Sequence, residues 1–127
     1  MKINKKILIV EDDSALLDLL GEKFTSEGFD VLKAQHGAIG LEIALREHPD
    51  LILLDIVMPV MDGITLSAKI REDSWGRTVP ILILTNLSDT ETMSKALQNN
   101  VFDFLVKSDW KIAEVVARVR SKLSLNL

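Results

Sequence analysis

Residues 51–63 read LILLDIVMPVMDG: four apolar residues closed by Asp55, an irregular stretch around Pro59, and an Asp62–Gly63 turn. A run of Leu and Ile without polar alternation is the pattern of a strand buried on both faces, as parallel strands are when helices cover them. The pattern recurs along the chain. Ile7–Val10 is followed by Glu11, Asp12 and Asp13, Ile81–Leu84 by Thr85, and Phe104–Val106 by Lys107. Phe29–Ala34 alternates instead, which suits an edge strand. Between these runs, apolar residues recur at helical spacing: Leu17, Leu20 and Phe24; Leu41, Ala44 and Leu45; Leu66 and Ile70; then Ile112, Val115, Val116, Val119 and Leu123. Ser88 with Glu91 forms a capping box that opens one more helix. Gly28 and Asn100 stand where helices end in a left-handed residue. Strand–helix units joined by short loops predict an α/β fold, a (βα)5 doubly wound five-stranded parallel sheet with helices on both faces.

Composition narrows the chemistry. The 127 residues suit one domain, and a chain of that size needs no disulfide or structural metal to hold its core. No Cys is present, so disulfides, thiolate zinc sites and thiol catalysis are excluded. Fifteen basic against nineteen acidic residues give a net charge of −4, which disfavours direct nucleic-acid binding. No apolar run approaches the roughly 20 residues of a membrane-spanning helix, and MKINKK leads directly into a strand, so the expectation is a cytoplasmic protein that does not enter a membrane. The expected organisation is a single domain over 1–127, with no output domain in this chain.

Parallel strands end on one edge of their sheet, and ligand sites in open α/β sheets lie along that carboxyl edge. Glu11, Asp12, Asp13, Asp55, Thr85 and Lys107 therefore converge. Acidic residues also open helices, where they favour the positive end of the macrodipole. That accounts for Asp13, and can account for Asp12, but not for Asp55, whose next helix is delayed by Pro59 and the Asp62–Gly63 turn, nor for Lys107. Neighbouring strands lie about 4.8 Å apart, so Asp12 and Asp55 come close. Carboxylates about 4 Å apart repel by roughly 4 kcal/mol at a surface-like dielectric, and one lysine cannot offset three or four of them. A hard, oxygen-seeking ion such as Mg2+ fits the donor set. His36 and His48 lack zinc-ligand spacing and read as solvated loop residues.

With those residues in place, the sequence resembles the receiver domain of bacterial two-component response regulators over essentially its whole length. ILIVEDD (7–13), LILLDIVMPVMDG (51–63), ILILTN (81–86) and FDFLVK (102–107) occur in order and at the expected separations. The resemblance implies a flavodoxin-like sheet of order 2-1-3-4-5. It implies that Asp55 is the phosphoacceptor, that Glu11, Asp12 and Asp55 with the backbone carbonyl of Val57 hold Mg2+, and that Lys107 contacts the phosphoryl oxygens. Thr85 and Phe104 become the switch residues. The implied function is a phosphoacceptor signalling switch rather than an enzyme acting on a separate substrate. Its implied partners are a histidine kinase or histidine phosphotransfer protein, and a downstream protein or second copy bound through the fourth helix, fifth strand and fifth helix.

The sequence departs from the family pattern after Lys107, where Ser108 replaces the usual Pro. A cis bond before a residue other than proline costs about 2.5–4 kcal/mol, so a trans Lys107–Ser108 bond is expected. An aspartyl-phosphate phosphatase wants a second acid two residues beyond its nucleophile, and Val57 stands there. A flavin site wants a phosphate-binding loop after the first strand, where Glu11–Asp13 instead repel phosphate. The alternative from another class is a receiver-like adaptor that binds proteins without phosphorylation.

Overall fold

The computed structural model describes residues 3–55, 58, 61–85, 103–106 and 111–124, with backbone alone at 85 and 103–106. Among these residues, β1 (Lys6–Val10), β2 (Asp30–Ala34), β3 (Leu51–Asp55), β4 (Ile81–Thr85) and β5 (Asp103–Val106) form one sheet. All pairings are parallel, in the order β2-β1-β3-β4-β5. The helices are α1 (Ser14–Ser26), α2 (Gly37–Glu47), α3 (Gly63–Glu72) and a C-terminal helix (Ile112–Lys122). The helix expected from Ser88 and Glu91, and its end at Asn100, lie outside the described residues.

The absence of alternation in the central strands has a direct cause. Ile7 and Ile9 of β1, with Leu51 and Leu53 of β3, face α1 and the C-terminal helix, meeting Leu17, Leu20, Phe24, Val115 and Val119. Leu8, Val10, Ile52 and Leu54 face α2 and α3, meeting Ala44, Leu66 and Ile70. Each such side chain contributes about 1.5–3 kcal/mol by leaving water, so both parities must be apolar. β2, at an edge, begins exposed and reaches burial only at Ala34, yet its burial does not alternate, since Val31 and Leu32 are both partly buried, one on each face.

One predicted face is corrected. Leu41, Ala44 and Leu45 read as the inward side of α2, yet Leu45 is exposed, and the buried residues are Gly37, Gly40 and Ala44. The helix lies too close to its neighbours for large side chains. A Cβ on Gly40 would stand 2.9 Å from Val10 Cγ2, and one on Gly37 would stand 2.5 Å from the Met61 carbonyl oxygen. The two histidines bound this helix and are more than solvated loop residues. His36 is its N-cap, its Nδ1 accepting from the Ile39 N–H at 3.4 Å, and His48 ends it in the left-handed region at φ 48°. The His48 ring stacks on Trp75, with centroids 4.7 Å apart and planes 7° from parallel.

Trp75 opens a 3₁₀ turn (Trp75–Arg77) tucked beneath the end of α3. Arg71 fastens that turn, its Nη1 donating to the carbonyls of Gly76 and Val79, each at 2.7 Å. A Cβ on Gly76 would collide with the Ile70 carbonyl oxygen, a backbone atom that cannot step aside. Gly76→Ala is therefore expected to cost about 1–3 kcal/mol, read as a lower urea midpoint with an unchanged slope.

Candidate functional site

The carboxyl edge of the sheet assembles the site by register. Val10 pairs with Leu54, so Glu11 and Asp55 leave adjacent strands at the same level. The Glu11 N–H donates to the Ala34 carbonyl at 3.0 Å, which carries the pairing of β1 with β2 one residue past the strand and fixes where the acids begin. Carboxylate oxygens of Glu11, Asp12 and Asp55 all lie within 4.8 Å of one another. Glu11 is 2% exposed and Asp55 6%, while Asp12 is open to solvent.

Asp13 belongs to a different job. Its carboxylate accepts from the Ala15 N–H at 3.0 Å and the Leu16 N–H at 3.3 Å, capping α1. Sequence order alone cannot separate Asp12 from Asp13, whereas the cap does. Asp13→Ala is expected to cost about 1 kcal/mol of stability while leaving Mg2+ affinity unchanged within about twofold. Chemical unfolding and titration calorimetry on one preparation would check both halves.

The residues present fit a divalent ion. Two nearly buried carboxylates a few ångströms apart need a cation to offset their repulsion, and a third at the solvent boundary leaves room for water ligands. An all-oxygen donor set with one open side suits Mg2+, which keeps several waters when protein-bound.

Other expected members are placed in part. Thr85 ends β4 one residue beyond Leu84, the register partner of Asp55, and pairs with Val106. Phe104 pairs with Ile83, two residues back along β4. Val57, Lys107 and Ser108 lie outside the described residues. Asp62, which the sequence showed only as part of a turn, caps α3 by accepting from the Thr65 N–H at 2.8 Å. The Asp62–Gly63 pair is thus a helix start that closes the loop following Asp55.

The family model for the response regulator receiver domain matches residues 7–120. The response regulator PleD of Caulobacter vibrioides is 38% identical over 121 residues, which are 94% of this chain and 26% of that protein. The DNA-binding dual master transcriptional regulator RpaA of Synechocystis is 35% identical over 118 residues, 93% of this chain and 48% of its own length. The chain thus spans about half or less of these curated relatives. Among solved structures, the receiver domain of the sensor histidine kinase PA1611 from Pseudomonas aeruginosa, with a magnesium ion coordinated in its active-site cleft, superposes with a TM-score of 0.84 at 30% identity, covering 94% of this chain and 97% of that one. The family match begins in the first strand and runs almost to the end of the last helix, taking in both faces of the sheet and its acidic edge, and the chain belongs to the response regulator receiver family.

Proposed function

We propose that this chain is a phosphoacceptor switch that takes a phosphoryl group from a phosphohistidine onto Asp55. The observation that carries the reading is the meeting of Glu11, Asp12 and Asp55 at the carboxyl edge, with Asp55 as the last residue of β3. An Asp55 oxygen attacks phosphorus in line with the departing imidazole. The P–N bond breaks, its electron pair stays on the donor histidine, and an acyl phosphate remains on Asp55. Glu11, Asp12, Asp55 and the Val57 carbonyl would hold Mg2+, which supplies the positive charge that lets an anionic donor approach. The Lys107 ammonium serves the phosphoryl oxygens from the strand beyond Thr85, where a long flexible stem suits the gap. The Thr85 hydroxyl donates to the new phosphoryl group, and the space it leaves admits Phe104, converting a charge event into a surface change.

The donor is a histidine kinase or histidine phosphotransfer protein. The readout is a downstream protein or a second copy on the surface of the fourth helix, β5 and the C-terminal helix. The net charge of −4 argues against nucleic-acid binding by this region itself. No helix among the described residues is long and apolar enough to cross a membrane, and the cytoplasm is the compartment in which such a kinase domain meets its receiver.

The test is intact mass after incubation with a small phosphodonor, with Mg2+ or with chelator. One added phosphoryl group that requires the metal is the expected result. No gain from the small donor, in protein shown separately to bind Mg2+, would point to a receiver that accepts only from its partner kinase, and no gain from a phosphorylated histidine kinase either would overturn the reading in favour of an adaptor that works without phosphorylation.

A further inference from the structure

The start of α2 touches both sides of the acidic corner. Ala34, the last residue of β2, accepts from the Glu11 N–H at 3.0 Å. Three residues on, Gly37 opens α2 and is buried. A Cβ there would stand 2.5 Å from the Met61 carbonyl oxygen, 2.9 Å from Met61 Cβ and 3.1 Å from its Cγ. Met61 belongs to the loop that runs from Asp55 to the cap of α3 at Asp62. The same loop carries Met58, which is buried in the core cluster that also holds Ala34, and Met61 packs against that cluster. The segment 34–37 therefore holds Glu11 on one side and meets the loop after Asp55 on the other. Backbone conformation does not explain the glycine. Gly28 is the one glycine with positive φ among the described residues, and in a regular helix alanine is the better helix former. What Gly37 supplies is space for the Met61 backbone.

We propose that Gly37 is a positioning residue for the Mg2+ site. By admitting the Met61 backbone against α2, it sets how deep the loop after Asp55 lies, and with it the Val57 carbonyl assigned to the ion. This role rests on the metal site proposed above, to which Gly37 adds no donor side chain. Cβ contacts respect a distance of 3.0 Å, so alanine at 37, at 2.5 Å, must displace its neighbour by about 0.5 Å. That neighbour is a backbone oxygen, which moves only if the loop or the helix moves with it. Mg2+ demands near-octahedral geometry with ligands about 2.0–2.1 Å away, so it tolerates little displacement of a loop that carries one of them. Gly40 supplies a comparison on the same helix. A Cβ there would meet Val10 Cγ2 at 2.9 Å and Cγ1 at 3.1 Å, which are side-chain atoms of β1 and no part of the loop.

The test titrates Mg2+ calorimetrically into the wild-type chain, Gly37→Ala and Gly40→Ala. Gly37→Ala is expected to bind at least about tenfold more weakly, as when a group that orients a metal ligand is lost. Gly40→Ala is expected to bind within about twofold of wild type, although both variants lower the urea midpoint. With chelator present, the Met61 and Asp62 amides are expected to exchange at least about threefold faster in Gly37→Ala, relative to those of β1, and as wild type in Gly40→Ala. A measurement on wild type alone decides the matter even where Gly37→Ala does not fold. Coupling between two sites is reciprocal, so Mg2+ is expected to slow exchange of the Ile39 and Gly40 amides, in the first turn of α2, more than that of His48 at its far end. Equal Mg2+ affinity in Gly37→Ala and wild type, an equal loss in Gly40→Ala, or no preferential slowing in the first turn would overturn the role of Gly37 alone. Absence of Mg2+ binding by wild type would overturn the metal site and this role with it.

Discussion

Asp55→Asn is expected to abolish phosphoryl acceptance while making the metal-free protein at least as stable as wild type. The two effects share one cause. The amide is uncharged and has no anionic oxygen to attack phosphorus, so no acyl phosphate forms and intact mass shows no gain at any donor concentration. The same change removes one of three charges whose oxygens lie within 4.8 Å of one another. Each such pair repels by about 3–4 kcal/mol at an effective dielectric near 20, reduced for Asp12 by its exposure. A higher melting temperature in chelator, together with a smaller rise when Mg2+ is added, is the outcome to look for. A variant that melts well below wild type would show that Asp55 stabilises the fold, contrary to this account.

The second large effect belongs to the other two acids. Glu11→Gln with Asp12→Asn is expected to weaken Mg2+ at least about 100-fold by calorimetry, because the ion depends on one or two carboxylates for most of its binding energy. Phosphoryl acceptance should fall with it, yet return in part at high Mg2+, because Asp55 remains as the acceptor. That partial recovery separates the pair from Asp55→Asn, for which no metal concentration restores the gain. If acceptance in the double variant equals wild type at low Mg2+, Glu11 and Asp12 do not hold the ion.

Much of the fold was legible because burial on both faces leaves a plain mark. The runs at 7–10, 51–54 and 81–84 lie within observed strands, and the segment at 29–34, read as an edge strand, does lie at an edge of the sheet. The convergence of Glu11, Asp12 and Asp55 followed from parallel strands alone. On α2 the apolar periodicity points to the wrong face. Hydrophobicity flags large apolar residues such as Leu45, whereas a helix pressed closely against its neighbours selects small ones, and Gly37 and Gly40 carry no apolar signal. Stacking of His48 on Trp75 joins residues 27 positions apart with no shared motif. Histidine is also a poor guide to a helix start, so the cap at His36 had no sequence signature of the kind Asp13 and Asp62 provide. The role of Asp13 was visible only as one of two readings until its hydrogen bonds to Ala15 and Leu16 chose between them.

The position of β1 between β2 and β3 has a consequence for how the chain matures. As the polypeptide leaves the ribosome, β1 emerges first but cannot complete its ladders until both partners follow, since Val10 pairs with Ala34 on one side and Leu54 on the other. The strand that leads into Glu11 and Asp12 is thus completed by the strand that ends in Asp55. No folding intermediate that lacks β3 can possess the acidic corner, and a cation that recognises the finished corner has no high-affinity foothold on the nascent chain. Such an ion adds its binding free energy to the native state alone. Pairing across this sequence distance is slow compared with helix formation, so Mg2+ is expected to slow unfolding more than it speeds folding.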